Sequence, residues 1–256
     1  MRRLIINADD FGFNRDVNAG IVDAHRGGVL TSTTLMANGA AFYDAVTLAK
    51  ATPTLDIGAH LVLVQGHSLL NGKALPATPG QLLGVLARGG LNVYAELKAQ
   101  IEKIRAAGLR LSHLDSHKHT HLVPGVFRAV VKLANEFGIP WLRLPLDTTF
   151  RFAKLPCALG NRYYRRLAAG TNIRMTDHFL GFELTGSLTE ETLFRALQNI
   201  DEGTTEFMCH PGYLGDELKQ SRTRLKESRL RELQALTSPR IRELINAQGI
   251  ELSSFG

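Results

Sequence analysis

The stretch RRLIINADDFGFNRDVNAGIVDAHRGG, residues 2–28, joins an apolar run to two adjacent acids and then to a segment of helical character. RRLIIN carries the short apolar run of a strand. Asn14 stands where a helix would be capped, and Gly27 and Gly28 stand where it would stop. The unit is therefore strand, loop, helix, with Asp9 and Asp10 on the loop side of the strand. Neighbouring carboxylates repel, and one unpaired buried charge costs several kcal/mol, about the whole margin of a folded domain. Something must compensate them.

The same unit recurs along the chain. TSTTLMA (31–37) precedes AAFYDAVTLAKA, and LDIGAHLVL (55–63) precedes a glycine-containing loop and NVYAELKAQIEKIRAAG. LRLSHLDSH precedes VFRAVVKLANEFG, PWLRLP precedes a less regular section, and TTEFMCH follows TEETLFRALQNI. Strand and helix alternating about seven times argue for parallel strands with crossover helices. A closed or nearly closed (β/α) barrel is the first reading, and an open doubly wound sheet the second. No linker, repeat or low-complexity tract divides the chain, so residues 1–256 are expected to form a single domain. The section from Asp147 to Asp177, broken by Pro156 and Gly160 and carrying RYYRRL, fits least well and is read as a lid or a homodimer contact.

With 256 residues, 44% of them hydrophobic, the chain can bury a sizeable core. No apolar run approaches the ~20 residues of a membrane span, and LIINA is too short for a signal sequence. A cytoplasmic protein is expected. Cys157 and Cys209 form neither a disulfide framework nor a CxxC metal pair, so any metal must sit on His and Asp. The net charge of +6 includes the basic stretch LKQSRTRLKESRLRELQAL (218–236), read as one amphipathic helix packed on the barrel. Contact with an anionic membrane surface is the second reading of that stretch, and no motif supports nucleic-acid binding.

In parallel α/β folds the loops leaving the carboxyl ends of the strands share one face, where active sites form. Asp9 and Asp10, His60, the HLDSHKHTH segment and His210 in MCHPGY all fall at such ends. His113, Asp115, His117, His119 and His121 alternate; in a strand they would share one face at about 6.6–6.8 Å for each two residues. Five cannot converge on one ion, so some of them would orient a ligand or bind substrate. A site of two His and one carboxylate leaves room for a catalytic water. One Asp would bind metal while its neighbour takes the proton of the attacking water, and a protonated His210 could donate to a leaving amine. Gly12 permits a tight turn behind the acids. Imidazole and carboxylate suit zinc, the first reading, then manganese, cobalt or nickel; magnesium prefers more oxygen. No GxSxG elbow or phosphate-binding glycine loop competes.

Taken in order, NADDFG, VLTSTTLMANG, GAHLVL, HLDSHKHTH and CHPGY resemble the YdjC-like carbohydrate deacetylases, from Arg2 to about Tyr213. The resemblance implies a distorted (β/α) barrel like that of polysaccharide deacetylases, one divalent ion, and removal of acetyl from an N-acetylated amino sugar. It implies Asp10, His60 and His117 as metal ligands, Asp9 as base and His210 as acid. His119, His121 and Asp115 remain for substrate binding or ligand support, and either of the two histidines could exchange roles with His117. Within the family the sequence is also similar to the branch associated with hopanoid biosynthesis, which implies a lipid-linked N-acetylglucosaminyl substrate. The loop LVLVQGHSLLNGKALP (61–76) faces substrate on this reading, with His67 and Asn71 as contacts or as ordinary surface. A metal-dependent sugar isomerase, a phosphoester hydrolase and a non-catalytic sugar- or lipid-binding module are the alternatives.

Overall fold

A computed structural model describes residues 1–146 and 154–256 of the chain. The 147–153 part of the section read as a lid or dimer contact lies outside the described residues. The first unit forms as its sequence directs. Strand β1 (Arg2–Phe11) leads into helix α1 (Arg15–Arg26), whose cap Asn14 accepts from the Val17 N–H and whose end is Gly27. It is followed by β2 (Ser32–Leu35), α2 (Phe42–Lys50), β3 (Asp56–Leu61), α3 (Pro79–Ala87), α4 (Val93–Ala106) and β4 (His113–Ser116). Then come α5 (Pro124–Phe137), β5 (Trp141–Leu142), α6 (Lys154–Leu167), β6 (His178–Leu180), α7 (Glu190–Gln198) and β7 (Gly203–Cys209). Helices α8 (Asp216–Gln220), α9 (Glu227–Leu236) and α10 (Pro239–Ala247) and the short β8 (Glu251–Leu252) complete the chain.

Among the described residues the named strands all pair in parallel, in the order β5-β4-β3-β2-β1-β7-β6, with β8 beside the start of β1. In a flat sheet β5 and β7 would lie about 24 Å apart, five strand spacings. Instead the guanidinium of Arg143, just after β5, reaches Asp9 on β1, Asp115 on β4 and Glu206 on β7 at 2.7–2.9 Å. The sheet is therefore curled into a distorted barrel. A parallel bridge joins Trp141 of β5 to Arg174, ahead of β6 in the chain.

The two faces of β1 show how the layers are divided. Leu4, Ile6 and Ala8 join Val17, Ile21, Leu233 and Leu236 in one apolar core beneath the helices. Each such large aliphatic side chain contributes about 1.5–3 kcal/mol on full burial. The opposite face carries Asn7 and Asp9 into a polar lumen with His113, Asp115, Arg143 and Glu206, all of them buried. Phe255 closes the lumen floor, its ring stacked on His113 at 3.9 Å between centroids.

Three segments depart from the sequence reading. The alternating HLDSHKHTH is not one strand: β4 ends at Ser116, and residues 117–122 form a 3₁₀ turn with Lys118 and His119 in the left-handed region. The basic stretch is not one helix but α8 and α9 around an irregular link, residues 221–226. Helix α6 runs through Gly160, which was expected to break it. Among the described residues no helix is long and apolar enough to cross a membrane.

Candidate metal centre

Adjacent residues of a strand point to opposite faces, yet Asp9 and Asp10 both line one cleft of about 1280 Å³ at the carboxyl ends of the strands. The register of β1 against β2 shifts between Ala8 and Phe11, and Asp10 takes φ +70°. This local irregularity turns the second carboxylate towards the cleft. Gly12 follows at φ +92°, a conformation that favours glycine, and a Cβ there would sit 3.0 Å from Leu35. His60 at the end of β3, His117 just beyond β4 and His210 just beyond β7 enter the same cleft.

Asp10 Oδ1, His60 Nε2 and His117 Nδ1 form a nearly equilateral triangle, 3.4, 3.2 and 3.3 Å on its sides. Donors so spaced around an ion at ligand bonds of about 2.1 Å would subtend roughly 100–110°, as in tetrahedral coordination. Each donor is also prepared by what its other end touches. His60 Nδ1 lies 2.8 Å from Asp115 Oδ1, and His117 Nε2 lies 3.0 Å from Gln65 Oε1. Both partners accept, so each ring keeps a proton on the nitrogen that faces away from the triangle. In the metal-free protein the burial of His60 is outweighed by Asp115 and Asp10, which raise it to about 10, and an ion that displaces the proton facing Asp10 meets a lone pair there. Asp10 Oδ2 accepts from Arg229, while Oδ1, buried, has no hydrogen-bond partner. A buried carboxylate oxygen left unpaired beside two imidazole nitrogens fits a divalent cation.

His119 and His121 stand differently. His121 has both ring nitrogens engaged, Nδ1 with Ser116 Oγ at 2.6 Å and Nε2 with the Arg143 carbonyl at 3.1 Å. It braces the turn and the backbone of Arg143. His119 lines the cleft beside Phe182, its Nδ1 buried and unpartnered. Asp115 bridges His60, the Thr34 hydroxyl and Arg143. On the loop after β3 it is Gln65 that lines the cleft, whereas His67 and Asn71 are exposed.

Charge explains the rest. Burial alone would raise the Asp9 carboxyl, but the two-pronged Arg143 contact and nearby imidazoles hold it well below the usual carboxylate range. Burial likewise opposes ionisation of Asp10 and is outweighed by Arg229 and the two imidazoles. Burial also dominates at His210, which falls to about 4 despite Asp9 and Asp10, so this ring is neutral near pH 7 rather than protonated. Its Nε2 lies 3.9 Å from Asp9 Oδ2.

Arg143, Arg229 and Gln65 were not singled out in the sequence. Arg143 left one trace, a charge inside the apolar run WLRLP; Arg229 was hidden among the other arginines of its stretch.

Comparison with known proteins gives the family of the chain. A family model described as YdjC-like protein matches residues 3–247. The chain belongs to the YdjC-like family. A carbohydrate deacetylase of Brevibacillus brevis is 37% identical, covering 99% of this chain and 98% of that protein. A chitooligosaccharide deacetylase of Escherichia fergusonii is 33% identical over 99% of this chain and 98% of its own length. Among solved structures, an Enterococcus faecalis protein named provisionally for cellobiose-phosphate cleavage superposes with a TM-score of 0.82 at 28% identity, covering 99% of this YdjC-like chain and 97% of that one. A lactam utilization protein from Thermus thermophilus, at TM-score 0.53 and 18% identity, shares the fold.

Proposed function

We propose that this chain, one domain over residues 1–256, is a metal-dependent carbohydrate N-deacetylase that hydrolyses the acetamide of an N-acetylglucosamine-type glycan to acetate and a free amine. The observation that carries the reading is the triangle of Asp10, His60 and His117, with both imidazoles already oriented, in a family whose relatives are named carbohydrate deacetylases. A divalent ion held there, zinc first, would polarise the acetamide carbonyl and make a water more acidic.

The chain's own groups supply proton transfer. Asp9, fixed by Arg143, accepts the proton of the attacking water as its oxygen bonds to the carbonyl carbon. Because Arg143 makes Asp9 a weak base, the proton moves on readily, and neutral His210 stands 3.9 Å away to receive it. His210 then delivers it to the nitrogen as the C–N bond breaks. His119 and Phe182 offer an imidazole edge and an apolar face to the sugar.

Lys118, Arg222, Arg224 and Lys226 also line the cleft and support a finer reading, an N-acetylglucosaminyl hopanoid lipid met at the cytoplasmic face of an anionic membrane. The test is acetate release from chitooligosaccharides and from that lipid, with chelator and then metal added back. Chelator-sensitive acetate restored by zinc is expected. Metal-saturated protein that releases none from any of them would overturn the deacetylase reading, and activity on the soluble sugars alone would overturn the lipid one.

A further inference from the structure

Four non-glycine residues among those described have a left-handed backbone: Asp10, Gln65, Lys118 and His119. All four line the same cleft. Left-handed backbone at bulky residues persists only where surrounding contacts enforce it. Asp10 supplies a donor of the triangle, and Lys118 and His119 make the turn that aims His117. Gln65 lies on another element, in the lobe between β3 and α3, and touches the triangle only through its contact with His117.

Its surroundings show what holds it. The Gln65 N–H donates to the Pro76 carbonyl at 2.8 Å, and the Leu75 N–H returns a bond to Gly66 at 3.0 Å, closing the lobe at its base. Buried side chains of α4 then clamp the lobe. Gln100 accepts from the Val62 N–H and donates to the Val62 carbonyl, both at 2.8 Å. Glu96 accepts from Ser68 Oγ, from the Leu69 N–H and from Gln100 Nε2. An exposed glutamine ordinarily samples many rotamers; this one is carried on a pinned loop with its Oε1 3.0 Å from His117 Nε2.

We propose that Gln65 is the positioning residue of His117: its amide oxygen holds the imidazole proton on Nε2 and so keeps the Nδ1 lone pair directed into the triangle. This rests on the reading of His117 as a metal ligand. Gln65 then does for His117 what Asp115 does for His60, but with a neutral acceptor from a cleft-lining lobe. The donor set is thereby made sensitive to whatever occupies that side of the cleft. Removal of such a supporting acceptor typically lowers metal affinity by about 10–100-fold.

The experiment is zinc affinity, by competition with a chromophoric chelator, for the full-length wild type and for Gln65→Met, Gln65→Glu and His117→Ala, with thermal unfolding of each metal-free protein as the fold control. Gln65→Met is expected to weaken zinc by about 10–100-fold at unchanged metal-free unfolding temperature. Gln65→Glu, which keeps an acceptor and adds charge, is expected to bind at least as tightly as wild type. Unchanged affinity in Gln65→Met would overturn the proposal, and so would equal weakening in both Gln65 variants. If His117→Ala itself binds zinc like wild type, it is the metal-centre reading that fails.

Discussion

Asp9 and Asp10 are neighbours in sequence but answer to different arginines, Arg143 for the first and Arg229 for the second. Their roles should separate accordingly. Asp9→Asn is expected to retain the fold and bind zinc within about threefold of wild type while kcat falls by about 10²–10⁴, the usual contribution of a positioned base. Steady-state kinetics beside metal titration checks this, and near-wild-type turnover would reassign the base. His117→Ala should lose zinc and turnover together. At this scale much was legible, because acids and histidines at the ends of apolar strands have little reason to be there except a site. Arg143 and Gln65 were not, since their importance lies in what they touch across the barrel, and a single arginine or glutamine has no sequence periodicity to betray that.

At the scale of elements, alternation misled. HLDSHKHTH has the period of a strand, and the same spacing is met by a strand that gives way to a tight turn. Lys118 and His119 supply the two left-handed residues that a polarity pattern does not encode. The basic stretch likewise has leucines at helical spacing, yet residues 221–226 leave the helix to line the cleft. Helix α1 offers a sharper test of how elements place chemistry. A Cβ on Gly20 would lie 2.5 Å from the Gly212 Cα, two residues past His210. Gly20→Ala should therefore displace the turn that carries His210. The expected result is a loss of about 1–3 kcal/mol of stability, typical of overpacking, and a lower kcat with zinc affinity unchanged. Denaturant unfolding and kinetics read the two effects separately; wild-type kcat would show that the turn is not held by this contact.

Across the whole molecule, the repeated strand–helix unit made the barrel legible, whereas β6 and β8, at three and two residues, were too short to register as periodic. Nor could composition show that the lumen is charged. Arg143 there pairs with Asp9, Asp115 and Glu206 at once, and Arg143→Met would strand these acids. A loss of about 3–5 kcal/mol is expected by denaturant unfolding, as when one partner of a buried ion pair is removed; a loss under about 1 kcal/mol would show that water already screens the lumen. Burial also keeps His113 and His119 well below the usual imidazole range, His121 at about 3 and His210 at about 4, and raises Glu206 and Glu232 to about 7. Between about pH 6 and 5, unfolding of the metal-free protein exposes four imidazoles that take up protons, while these two carboxyls and His60, whose burial is outweighed by Asp115 and Asp10 so that it rises to about 10, release them. Net uptake of about one to two protons means that stability falls with falling pH, by about 1.5–3 kcal/mol per pH unit. Stability that holds or rises over that window would contradict this. The order of the strands has a last consequence, for synthesis on the ribosome. The three groups proposed to hold metal lie within the first 117 residues, on β1, β3 and the turn after β4, while Arg143, His210 and Arg229 are translated later. A nascent chain that folds from its amino end would bring the proposed ligands together before it has any of these partners for the two acids.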